Sequence, residues 1–235
     1  MTLRPYKLFA LLRKDFSDTF KNMNCLIVII LPLFFVALYR SLSFGDGQMP
    51  LDYVLTLGLQ MNLSLVPIST LATMVAEEKE KNTLRTLMLS NVTAAEFLVS
   101  KLMVGYVMMQ FVNTAIYLMC SQPLNTYPFF FLVMTLGSLC ILLIGATIGI
   151  VSKNQMSTGI ASAPAALLLL IPSVFSALDP EGFFAKIARL LPNAAMLSLY
   201  SREGSALYHC MVMLAWLAIT GLVFSLVYRR TRFDQ

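Results

Sequence analysis

Six stretches of this chain are apolar for about twenty residues or more, and no other feature constrains the fold as strongly. They run approximately over 24–42, 53–76, 102–120, 127–151, 159–178 and 208–228. Each is long enough to cross a hydrocarbon core of about 30 Å as a helix. In lipid a helix satisfies every backbone N–H and C=O within its own segment, whereas barrel strands would be shorter and would alternate apolar with polar residues. Only 12% of residues are charged and 58% are hydrophobic, where a soluble domain carries roughly a quarter charged. The expected fold is an all-α integral membrane protein with six transmembrane helices.

Lysine and arginine set the orientation. With a cytoplasmic N-terminus, thirteen of them fall on inside segments and four, Arg40, Lys186, Arg189 and Arg202, on outside ones. That bias predicts a multi-pass protein of the cell (inner or plasma) membrane with both termini cytoplasmic. The net charge of +5 is then a product of topology and calls for no nucleic-acid partner. Residues 1–23 read as a cytoplasmic amphipathic helix: Phe9, Leu12, Phe16 and Phe20 recur at three- and four-residue steps, with Arg13, Lys14, Lys21 and two aspartates on the other sides. Such a helix suits the headgroup plane, and a helix packed on another subunit has similar requirements. The long N-terminal segment of mixed charge, with no A-x-A-like site after the first apolar run, makes that run an uncleaved first helix.

Residues 24–228 form the transmembrane domain and 229–235 a cytoplasmic tail. The last outside segment, 179–207, alternates apolar and charged positions, and Phe183, Phe184, Ile187, Leu190 and Leu191 trace a helical face. One or two short helices dipping into the outer leaflet are expected there. Gly137, Gly145 and Gly149 recur at multiples of four, a stripe that lets helix backbones approach closely, within one chain or between two. Cys25, Cys120, Cys140 and Cys210 form no C-x-x-C, and only Cys120 and Cys210 share a side on which a disulfide could form.

The densest charge lies between the second and third spans, in AEEKEKNTLRTLMLSNVTAAEFLVSKL, residues 76–102. Glu77 and Lys81 make a favourable i,i+4 pair that would carry the second helix past the bilayer, and Asn82 could close it. Thr93 and Glu96 have the spacing of a capping box, flanked by Val92 and Phe97 at the positions of a hydrophobic staple. A third helix should therefore start near Thr93, with Lys101 snorkelling at the membrane edge. Between the two helices Leu84, Leu87 and Met88 share one face of a short segment. A short helix with an apolar face needs a partner to bury it.

The run EKEKNTLRTLMLSNVTAAEFLVSKL resembles the signature loop of ABC-2 type transporter permeases, read loosely as E-x-x-x-G-T-L-x-x-L-L-x-S-P-V-S, then E/Q, a few apolar residues and K-L. Asn82 stands where the family often has Gly and Asn91 where it often has Pro; both suit turns. The layout is also similar, including LLPNAAM followed by Arg202 before the last span. The resemblance implies that Thr83, Leu84, Arg85, Leu87 and Met88 belong to a coupling helix docked on an ATPase, within a coupling region 77–101, with Glu77, Glu78 and Glu80 as its polar rim. It further implies two ABC ATPase subunits per complex, a second permease copy or a related permease, and export as the usual direction. No G-x-x-x-x-G-K-[ST] occurs, so the chain itself would bind no cofactor, and ATP and Mg would sit on the partner ATPase.

Other classes fit less well. An intramembrane enzyme would need ligands or a nucleophile, yet His209 is the one histidine and no H-E-x-x-H occurs. Glu77-Glu78 superficially resembles the paired glutamates of intramembrane CAAX-type proteases, but the Arg expected four residues on is missing. An ion-coupled carrier would keep an ionisable residue near the midplane, and no span has one. A non-transporting membrane scaffold or interaction subunit is the alternative reading. Candidate path residues are Gln60, Asn62 and Ser64 near Pro67, a possible hinge, and Gln110 and Asn113 in the third span, although hydrogen bonding between helices explains them as well. A peptide, drug or other amphipathic cargo would suit such spans.

Overall fold

The computed structural model describes residues 4–44, 47–81, 83, 89, 92–176 and 179–231. Its elements, in chain order, are α1 (Pro5–Lys21), α2 (Met23–Ser41), a two-residue antiparallel ladder of β1 (Ser43–Phe44) with β2 (Gly47–Gln48), α3 (Leu51–Glu80), α4 (Ala94–Met119), α5 (Tyr127–Val151), α6 (Gln155–Phe175), α7 (Phe183–Ala188), α8 (Pro192–Tyr200) and α9 (Ala206–Thr231). Among the described residues six helices, α2 to α6 and α9, are long and apolar enough to cross a membrane. They match the six apolar runs, and the segment 179–207 forms two short helices, α7 and α8. All four cysteines are free thiols.

Local chemistry sets the boundaries. Pro5 and Pro192 open α1 and α8, where a missing N–H costs nothing. Asn22 separates α1 from α2 and caps the latter by accepting from the N–H groups of Asn24 and Cys25 at 3.0 and 3.4 Å. Asn154 and Ser157 form a reciprocal capping box that opens α6.

Helix α3 is the axis of the bundle. In its most apolar window 78% of residues are buried, against 17% in α9 and 22% in α2. It packs on α2, α4, α5 and α6, while α9 covers α5 and α8 from outside. Glycine permits the closest of these contacts. A Cβ on Gly145 would lie 2.6 Å from the Pro67 carbonyl oxygen and 2.8 Å from that of Ile68, and one on Gly149 would lie 2.7 Å from Val75 Cβ. The GxxxG stripe of α5 thus packs against α3 within one chain. Gly137, two turns earlier, makes room for the thioether of Met196 on α8. Pro67 is buried in an unbroken α3, so its missing N–H frees one carbonyl without ending the helix.

Helix α1 lies across the opposite end of the bundle from α8, packed mainly on α4. Its buried residues are Leu11, Asp15 and Thr19, while Tyr6, Phe9, Phe16 and Phe20 are exposed. The Phe face traced by the spacing is thus the exposed one, and Asp15, on another side of the helix, turns inward because its partners are cationic.

Candidate functional site

Four consecutive residues at the end of α3, Glu77 to Glu80, each reach a different neighbour. Glu77 accepts from Asn22 Nδ2 at 2.7 Å, at the α1–α2 junction, and pairs with Lys81 as its i,i+4 spacing predicts. Glu78 accepts from Lys101 Nζ of α4 at 2.9 Å and from Lys14 of α1. Lys79 donates to the carbonyls of Ile150, at 2.7 Å, and Ser152, so it caps the C-terminus of α5. Glu80 accepts from the N–H of Gln155, at 2.9 Å, where α6 begins. Successive helical residues turn by about 100°, so four in a row reach neighbours on different sides of the helix.

The centre of this hub is buried and charged. Lys101 Nζ lies 2.7 Å from Asp15 Oδ1 as well as 2.9 Å from Glu78 Oε1, and the three side chains are 4%, 2% and 6% exposed. Ser100 donates to the other Asp15 oxygen, and Thr83 to the other Glu78 oxygen. Every carboxylate oxygen is thereby used, the condition under which a buried ion pair holds its place. Lys101 does not snorkel to the surface; it is enclosed between two acids and lies 5.1 Å from the Phe97 ring centroid. Burial lowers the Lys14 ammonium pKa, but the hydrogen bond and charge of Glu78, with Asp15 and Asp18, outweigh this and hold it above the ordinary lysine value.

A second strap joins the starts of α1 and α4. Thr93 Oγ1 accepts from the Glu96 N–H at 3.2 Å, and Glu96 Oε2 accepts from the Thr93 N–H at 2.9 Å. The box is complete, and Val92 and Phe97 are buried in one cluster with Leu11 and Val75. Glu96 also accepts from the Arg4 backbone N–H at 3.0 Å and from its guanidinium at 3.3 and 3.4 Å. One carboxylate thus closes two helix starts.

Of the residues assigned to ATPase docking, Thr83 is described and faces Glu78; Leu84, Arg85, Leu87, Met88 and the turn residues Asn82 and Asn91 lie outside the described residues. Of the rim acids, Glu80 is exposed and Glu77 half-buried, but Glu78 is buried and committed to internal cations. A cavity of about 70 Å³ lies among these charges, too small for an organic ligand by several-fold. Among the described residues no group of three or more His, Cys, Asp or Glu side chains could hold a metal ion. What the arrangement can do is mechanical: it joins the ends of α1, α4, α5 and α6 to the end of α3.

The polar residues within the spans fall into two separate networks on opposite faces of α3. Asn62 donates to Asn113 Oδ1 at 2.8 Å and to the Met109 carbonyl at 3.0 Å; Asn113 donates to Gln110 at 2.8 Å, and Gln110 to Thr135 at 3.0 Å. Gln60 and Ser64 instead face Asn193 of α8, whose Nδ2 lies 2.7 Å from Gln60 Oε1, 3.3 Å from Ser64 Oγ and 3.0 Å from both the Leu169 carbonyl and Ser173 Oγ. All five candidate path residues are buried against neighbouring helices of the same chain. Asn193 and Asp15 carry these sites and were not picked out in the sequence. The available signal for Asn193 was a Pro-Asn helix start inside a long segment of mixed apolar and charged residues.

The profile of the family described as "ABC-2 family transporter protein" matches residues 48–228. No curated protein matches the chain.

Proposed function

Since the chain belongs to the ABC-2 family of transporter proteins, and so supplies the membrane permease of an ABC transporter and not its ATPase, we propose that it works in an ATP-driven exporter with two separate ATPase subunits and a second permease, identical or related. The segment 82–91 docks on the ATPase through Leu84, Leu87 and Met88, with Arg85 and Glu80 among its polar contacts. ATP and Mg stay on the partner. Closure of the ATPase pair pushes this segment, and the push reaches the bundle through the residues that follow and precede it.

The observation that best supports this reading is the hub at Glu77 to Glu80. It lies immediately before the docking segment and ties the end of the central helix to α1, α4, α5 and α6. A force delivered at residue 82 therefore meets a joined block and not a loose loop. Cargo passes between the two permeases, and a peptide, drug or other amphipathic molecule is the class that suits spans without intramembrane charge.

The test is co-purification in mild detergent with the native membrane as source. Wild-type chain is expected to bring down a P-loop ATPase in near-equal amount, and Leu84→Asp with Leu87→Asp to lose it while remaining membrane-inserted. Recovery of the chain without any ATPase, even after crosslinking, would favour a scaffold role.

A further inference from the structure

Helix α1 carries its acids on the packed side and its rings on the open one. Tyr6, Phe9, Phe16 and Phe20 are 69%, 71%, 44% and 50% exposed, whereas Asp15 and Thr19 are buried. At about 100° per residue all four rings lie within about 60° of Arg13 around the helix axis, and Arg13 is itself exposed. Phe16 and Phe20 already pack on each other, with ring centroids 5.1 Å apart.

The acids of α1 are committed elsewhere. Asp15 is held by Lys101 and Ser100, and Asp18 pairs with Lys14 at 3.3 Å. Among the described residues neither Arg13 nor Lys21, which is also exposed, forms an ion pair. The open face is therefore aromatic and purely basic.

The chain itself says what lies beside this face. Asn22 alone separates α1 from α2, a membrane span that exposes Met23, Ile27, Ile30 and Phe34 along its length. The last turn of α1 is thereby held at the edge of the bilayer, and the rest of its 17 residues extends about 25 Å from there. Aromatic residues interleaved with Arg and Lys suit the headgroup level. An apolar helix face with basic residues and no free acid is attracted to anionic lipid.

We propose that α1 is a receptor for anionic phospholipid: its aromatic face rests in the headgroup region, and Arg13 with Lys21 binds the negatively charged headgroups. From its opposite side the same helix presents Lys14 and Asp15 to Glu78 and Lys101. Lipid that holds α1 in place thus keeps the hub closed, and loss of that lipid loosens the end of α3. This regulation goes beyond the permease reading, and it depends on the membrane setting alone, not on ATPase docking.

The test is amide hydrogen exchange of the full-length chain in two nanodiscs, one of phosphatidylcholine and one of equal parts phosphatidylcholine and phosphatidylglycerol. A basic residue at an anionic surface contributes about a fivefold factor. Wild-type α1 is expected to exchange slower in the anionic disc by at least that factor. Arg13→Gln should lose about one such factor, while Lys153→Gln, an exposed lysine away from α1, should keep the full difference. Phe9→Ser should speed exchange of α1 in both discs alike. Equal exchange of wild-type α1 in the two discs, or a difference that survives Arg13→Gln undiminished, would overturn the proposal. So would a Phe9→Ser variant indistinguishable from wild type. Protection that ignores the lipid and rises only when an ATPase is added would give the face to that protein instead. Since the lipid arms need no ATPase, their failure is distinct from a failure to capture one.

Discussion

Replacing Lys101 by methionine keeps the length and apolar stem of the side chain and deletes the ammonium. That group lies 2.7 Å from Asp15 Oδ1 and 2.9 Å from Glu78 Oε1, in side chains no more than 6% exposed. Removing one partner of a buried pair costs about 3–5 kcal/mol, because the remaining charge stays out of water without compensation. Glu78 keeps Lys14, which is 37% exposed, and Asp15 has the same ammonium at 3.8 Å, so the lower end, about 3 kcal/mol, is expected. The least costly response is for α1 to lift off, since its displacement returns Asp15 to water. A cost of about 3 kcal/mol shifts that equilibrium more than a hundredfold at about 1.4 kcal/mol per factor of ten. Amide hydrogen exchange in nanodiscs should show α1 losing protection by that factor while the centres of α3 and α5 stay protected. Adding Asp15→Asn and Glu78→Gln removes the uncompensated charges and should restore most of the protection. Wild-type protection in Lys101→Met, or a triple variant no better than the single, would refute the assignment of Lys101 as the pin of α1.

Glycine packing gives a second test: Gly145→Ala places a Cβ 2.6 Å from a backbone oxygen and should cost about 1–3 kcal/mol through overpacking. Gly159→Ala, with nothing within 4 Å, should leave the thermal midpoint in detergent unchanged or slightly raised. Thr93→Ala loses one cap bond, worth about 1 kcal/mol. Glu96→Ala should cost more, since the same carboxylate holds the Arg4 backbone N–H and its guanidinium, and the excess should shrink but not vanish in an Arg4→Ala background, which loses the guanidinium bonds and keeps the backbone one.

Much of this molecule was legible because it is local. Spans are continuous runs, and the Thr93 box and the Glu77–Lys81 pair are relations at three and four residues, so a single window contains both partners. The charged core was not legible for the opposite reason. Lys101 meets Asp15 across 86 residues and Glu78 across 23, and periodicity ranks helix faces by greasiness, which sends an aspartate outward. Only the identity of the surface underneath α1 reverses that ranking. The division of Gln60 and Ser64 from Asn62 lies between the two cases. Positions i and i+4 share a face that i+2 does not, so the separate networks were implicit in the spacing, but Asn193 as the partner of one of them was not.

Because Glu77, Glu78, Lys79 and Glu80 point in four directions, α3 cannot spin about its own axis without tearing several bonds at once. It can tilt. Gly145 abuts it at Pro67 and Ile68, about eleven residues or roughly 16 Å from Glu78, and about 22 Å from Asp52, at 1.5 Å per residue. The helix is thus a lever with its fulcrum near the middle and arms of comparable length. A sideways step of its charged end would reappear, reversed and about a third larger, at the first turn around Asp52.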